Sequence, residues 1–149
     1  MKYHLAQLNI ASLLHPIDHP VIKEFVDNLD RINALAENSE GFVWRLKDET
    51  GNATEIEAFE NPLIIANMSV WENAAYLKAY VYKSDHVNIM RKRKQWFAPS
   101  KLPFMVMWWI PEGHEPTLIE AKERLEYLQE NGESAYAFSF RNIFEAQKH

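Results

Sequence analysis

The sequence contains no cysteine. That single absence excludes disulfide staples, thiolate nucleophiles and thiolate metal ligands. Glycine is scarce, four residues scattered over 149, so no glycine-rich loop can cradle a phosphate or a dinucleotide. There is no Gly-x-Ser-x-Gly elbow and no Ser/His/Asp signature. Basic charge is also short, 16 residues against 21 acidic, a net −5, which argues against a nucleic-acid partner. No run approaches the ~20 apolar residues of a membrane span. Residues Met1 to Asn9 lack the apolar core of a signal peptide. The expectations are no membrane partner and a cytoplasmic location. His4, His15, His19 and His149 show no metal spacing, and no His-x-x-x-His pair falls on one helix face, since His15 and His19 stand in a loop broken by Pro16 and Pro20, so no zinc site is expected.

What is abundant is aromatic surface, 13% of the residues, and it must go into a core, a pocket or a subunit contact. The length suits one domain over residues 1–149. Alternation predicts a strand over Tyr3–Ile10, with Tyr3, Leu5, Gln7 and Asn9 on one face and both faces covered. Ile22, Phe25, Val26, Leu29, Ile32 and Ala36 share one face of a helix over Val21–Ala36. Asn33 falls within that face, where an amide without partners costs roughly 1–3 kcal/mol. Strands follow at Phe42–Leu46 and, after Asn61-Pro62, at Leu63–Trp71, with residues 47–52 as a turn. Ile64, Ala66, Met68 and Val70 make one face of the latter wholly apolar, while Asn67, Ser69 and Trp71 lie on the other. Short helices over Asn73–Tyr82 and His86–Phe97 are expected, the second capped by Ser84 or Asp85. Its inward stripe is Ile89, Met90, Arg93, Trp96 and Phe97, and His86 extends it by one turn.

A strand over Phe104–Ile110 comes next. Thr117 with Glu120 forms a capping box for a helix carrying Leu118, Ala121, Leu125 and Leu128, stopped at Asn131-Gly132. His114, just before that cap, reads as a turn-organising histidine. Tyr136, Phe138 and Phe140 alternate as in a short final strand. The order is the α+β, ferredoxin-like split βαβ plan. That plan leaves one sheet face without helices, and a bare apolar face predicts a homodimer through the sheet.

In this plan the first and third strands are neighbours, so Gln7 and Asn9 meet Asn67 and Ser69 on the helix side, with Asn33 facing them. Neutral amides and a hydroxyl rimmed by Trp44, Trp71, Tyr76 and Tyr80 describe a pocket for a flat, weakly polar ligand. The competing reading is a rigid core in which the amides satisfy one another. The cations Arg91 to Lys94 spread around their helix as a solvated face. Arg93, on the inward stripe, is the one placed to attract a ligand carboxylate.

Several blocks resemble a bacterial family known as a domain of unknown function: Asp30 to Glu37, Gly41 to Leu46, Met68 to Glu72, Tyr80 to His86, Arg91 to Phe97 and Trp108 to Thr117. That family is similar in fold to the dimeric α+β barrels, which include antibiotic-biosynthesis and heme-degrading monooxygenases. The resemblance implies a monooxygenase-like enzyme on an aromatic or hydrophobic ligand, with Asn9 and His86 as catalytic candidates. Asn9 and Asn67 would polarise a substrate oxygen, and His86 would serve as a base or a heme ligand. Heme is thus the one cofactor implied. Heme degraders place a Trp between the two residues, where this chain has Tyr76 or Tyr80, and that departure weighs against heme degradation. The alternative is a non-catalytic homodimeric binder of heme or a hydrophobic metabolite.

Overall fold

A computed structural model describes residues 2–16, 18–46, 64–83, 96–98 and 102–146, with only the backbone described at Leu29, Asp30 and Lys83. Strand β1 (Tyr3–Ser12) runs two residues past its expected end. Helix α1 (Lys23–Glu37) follows a 3-10 turn at Pro20–Ile22. Pro20 suits the first turn, where its missing N–H has no partner to lose. His19 Nδ1 accepts from the Val21 N–H at 3.1 Å. Strands β2 (Phe42–Arg45) and β3 (Ile64–Trp71), helix α2 (Ala74–Lys83), strand β4 (Met105–Pro111) and helix α3 (Leu118–Asn131) follow among the described residues.

The four strands form one antiparallel sheet in the order β2-β3-β1-β4. This is the split βαβ arrangement, and the chain is an α+β protein. The register pairs Gln7 with Ser69 and Asn9 with Asn67, and on the other side Gln7 with Met107 and Asn9 with Met105. Cross-strand partners share a face. Rows of side chains therefore cross the sheet.

On the helix face, Leu5 and Trp71 pack with Ala36 of α1 and Leu77 of α2. At the far end of that face, Ile65 packs with Ile22, Phe25, Val26 and Trp96. Backbone bonds Leu14 N–H to Trp96 O and Ala98 N–H to Ser12 O, both 2.8 Å, lay residues 96–98 along the end of β1. The rest of the expected helix over His86–Phe97, its Ser84/Asp85 cap and the turn at 47–52 lie outside the described residues.

The reverse face is not bare. Ala121, Leu125 and Leu128 of α3 pack on Ala6, Leu8, Val106 and Trp108, all fully buried or nearly so. The spacing of those leucines gave α3 an apolar stripe, but no sequence pattern says which surface a stripe will meet. Burying one such Leu contributes about 1.5–3 kcal/mol. Thr117 caps the helix by accepting from the Glu120 N–H, and Gly132 ends it at φ +82° with its N–H on Leu128 O. Glu120 also ties the preceding turn. One carboxylate oxygen meets His114 Nε2 at 2.8 Å, and the other accepts from Trp108 Nε1 at 2.8 Å.

The expected final strand reduces to one bridge, Met107 with Phe138. There the tail crosses the edge of β4. Ala137 lies in the reverse-face core and Phe138 in the helix-face core. Trp109 Nε1 then donates to Phe144 O at 2.8 Å and fastens the tail over the helix face.

Candidate functional site

Between the two apolar ends of the helix face lies a polar band. Gln7 is 5% exposed and Ser69 6%. Gln7 Nε2 donates to Ser69 Oγ at 2.7 Å and to Asn67 Oδ1 at 3.0 Å. Trp71 Nε1 donates to the same Ser69 Oγ at 2.9 Å. β-strand alternation alone places these four on one face, and the β1–β3 register sets them side by side.

Both Gln7 N–H groups are committed, so Oε1 is its remaining acceptor. Among the described residues no donor reaches it. A buried amide oxygen in that state is exceptional, because such groups are almost always paired. Asn67 is exposed although the strand on either side is covered. Asn9, opposite it, is half-buried, and its side chain has no partner among the described residues. Along this row exposure rises from the buried Gln7 through the half-buried Asn9 to the exposed Asn67.

The aromatic residues divide. Trp71 is fully buried, stacked on Tyr80 at 5.2 Å and 26° and met edge-on by Phe42 at 5.6 Å and 85°. Its ring is wholly enclosed, so it holds Ser69 rather than offering a platform. Tyr80 is half-buried, and its hydroxyl donates to Ile32 O at 3.2 Å. Burial pushes that hydroxyl up to about 12, with the charge of Arg45 pulling the other way. Tyr76 sits at the end of the sheet over Gly41, its hydroxyl toward Glu40 at 3.5 Å. The Glu40 charge, then burial, then Glu72 and the Glu40 hydrogen bond raise its pKa. Its polar tip faces the surface turn and not the polar band.

Trp44 is on the other side of the sheet, packed against the α3 core. The cause is a bulge: Phe42 pairs with Trp71 and Trp44 with Val70, so Val43 is an extra residue. The same bulge turns Arg45 to the Ser69 row, where sequence alternation had placed Trp44. The Arg45 side chain is only 10% exposed, and its Nε holds Glu37 at 2.7 Å. Asn33 is buried, as its place on the α1 stripe predicts. His86 and Arg93 lie outside the described residues. The two methionines beside Gln7 and Asn9 could have been read as same-face neighbours only once the β1–β4 register was known.

A family model for a domain of unknown function, DUF3291, matches residues 4–149. The chain belongs to the DUF3291 family. No curated protein matches it. A conserved protein from Methanosarcina mazei Go1 has a similar fold, with 14% identity, a TM-score of 0.50, and 72% of this chain and 90% of that one covered. A Pseudomonas aeruginosa protein is 10% identical with a TM-score of 0.49, over 74% and 94% of the two chains. SnoaB, a cofactor-independent oxygenase from Streptomyces nogalater, is 10% identical with a TM-score of 0.46, over 75% and 95%.

The described band of the DUF3291 domain can orient a neutral ligand. Its side chains are amides, a hydroxyl, thioethers and a phenol that stays protonated at neutral pH. None of them is a general base near neutrality. None is an imidazole or a thiolate, and His86, the heme ligand that the resemblance implies, lies outside the described residues.

Proposed function

We propose that this DUF3291 chain is a small-molecule-binding protein whose ligand enters over Asn67 and Asn9 and is held by uncharged hydrogen bonds. The observation that carries this is Gln7: 5% exposed, with both amide hydrogens engaged and its carbonyl oxygen lacking a donor among the described residues. An amide sealed in a core for rigidity would have that oxygen paired, because leaving it unmade costs about 1–3 kcal/mol. Retention of an acceptor at the base of an opening fits a binding site.

Isothermal titration with neutral bicyclic aromatic probes tests the reading. Asn9→Ala and Asn67→Ala should each weaken binding about tenfold, and Trp44→Phe should leave it unchanged. The reverse pattern would move the site to the other sheet face.

A monooxygenase-like activity is the finer version of the same site. It requires His86 as base or iron ligand, with Asn9 holding a substrate oxygen. Oxygen uptake with a phenolic probe that is lost in both His86→Ala and Asn9→Ala supports it. Ligand binding without uptake leaves a binder. A hemin titration in which a shifted Soret band disappears in His86→Ala would supply the cofactor.

Homodimerisation through the sheet belongs here too, in narrower form. With α3 over β1 and β4, the surface for a second copy is the β2–β3 half of the reverse face, where Trp44 and Ala66 are half-buried.

A further inference from the structure

We infer that the ligand of this site is an uncharged planar cyclic amide, a lactam or imide presenting an N–H and a C=O along one edge; this rests on the polar band being the ligand site proposed above. The inference comes from the hydrogen-bonding capacity left over after the band has bonded to itself. Gln7 Nε2 serves Ser69 and Asn67, so Gln7 presents an acceptor, Oε1, while Ser69 Oγ, which accepts from Gln7 and Trp71, keeps its hydroxyl hydrogen beside it. Asn67 Oδ1 is taken by Gln7, so what Asn67 presents at the exposed mouth is its donor end, the Nδ2 hydrogens. Asn9, across the strand pair from Asn67, adds one acceptor and two donors with no partner among the described residues. A ligand that satisfies both Gln7 and Asn67 brings a donor to the buried Oε1 and an acceptor to the exposed Nδ2.

Other ligand classes meet this array badly. An anion would set its charge against the negative end of the buried Gln7 carbonyl, in a place where desolvation already disfavours charge. The nearest cation on the row, Arg45, already has a carboxylate, Glu37, on its Nε. A metal cation would face the Asn67 hydrogens. A hydrocarbon would leave Gln7 Oε1 without a donor. A cyclic amide holds N–H and C=O on the same side of the ring, so one edge can meet both Gln7 and Asn67. Its flat apolar body has Met105, the half-buried cross-strand neighbour of Asn9, as a polarisable wall.

Calorimetry at neutral pH on the full chain, with 2-quinolone, N-methyl-2-quinolone and quinoline-2-carboxylate, tests this. 2-Quinolone should bind at least about tenfold more tightly than its N-methyl derivative, which lacks the donor for Gln7. In Gln7→Met that preference should collapse to about one. Asn67→Asp, at an exposed position that keeps the acceptor for Gln7 but removes both Nδ2 hydrogens, should weaken both lactams alike. If Gln7→Met does not fold, the N-methyl comparison in the natural protein together with Asn67→Asp still decides. Equal binding of the two lactams, with Asn67→Asp weakening both, overturns the cyclic amide and leaves the site standing. Tightest binding of quinoline-2-carboxylate overturns an uncharged ligand. No binding of any probe overturns the cyclic amide and counts against the site itself.

Discussion

Single residues show how closely the site is tied to the packing around it. Gly41 has φ +84°, and a Cβ there would run into the Tyr76 ring. Gly41→Ala should cost about 2 kcal/mol or more, combining left-handed strain with overpacking. Gly113 and Gly132 also have positive φ but open space around the missing Cβ. Alanine there should cost about 1–2 kcal/mol, the backbone term alone. Urea denaturation of the three variants checks the ranking.

Tyr80 makes a second prediction at this scale. Its hydroxyl ionises near 10.0 when unperturbed and at about 12 in the native protein. The unfolded chain therefore loses this proton first. The stabilisation is complete below pH 10 and disappears as pH rises to 12. Tyr80→Phe should flatten the fall of the denaturation midpoint across that window. An unchanged slope would mean that the hydroxyl is not buried as described.

The elements show how much of this was legible in advance. Alternation in Tyr3–Ile10 and Leu63–Trp71, together with the split βαβ order, was enough to place Gln7, Asn9, Asn67 and Ser69 on one face. The observed register agrees. Asn33 was legible as a polar residue on an apolar stripe, and it is buried. The bulge at Val43 was not legible, since no glycine or proline marks it. It exchanged Trp44 for Arg45 on the site side. Trp71 was correctly read as helix-facing, but periodicity fixes a direction and says nothing of what already occupies it. Phe42 and Tyr80 do.

The packing of α3 was hidden for the same reason, and it yields a test. Leu125 is 2% exposed and Ile119 75%. Leu125→Ala should cost about 2–5 kcal/mol, and Ile119→Ala within about 0.5 kcal/mol of nothing. Similar losses for both would mean that α3 does not cover the sheet as described.

At the scale of the whole molecule, the two sheet faces do different work. The reverse face is a core that α3 covers over β1 and β4. The helix face is apolar at both ends and polar in the middle, and it is open where Asn67 reaches the surface. Dimerisation is no longer needed to hide the whole reverse face. Any self-association should depend on the β2–β3 half, so Trp44→Glu should abolish a dimer seen by sedimentation equilibrium. A dimer that persists in that variant would place the contact elsewhere. Among the described residues no helix is long and apolar enough to cross a membrane.

The side-chain amide resonances of Gln7, Asn9 and Asn67, followed by nitrogen-15 NMR during titration with 2-quinolone, test the site most directly. All three should shift saturably with one dissociation constant, while the indole resonance of Trp44, on the opposite sheet face, stays fixed. Movement of Trp44 with the three amides unmoved would contradict the claim that this band is where the protein meets its ligand.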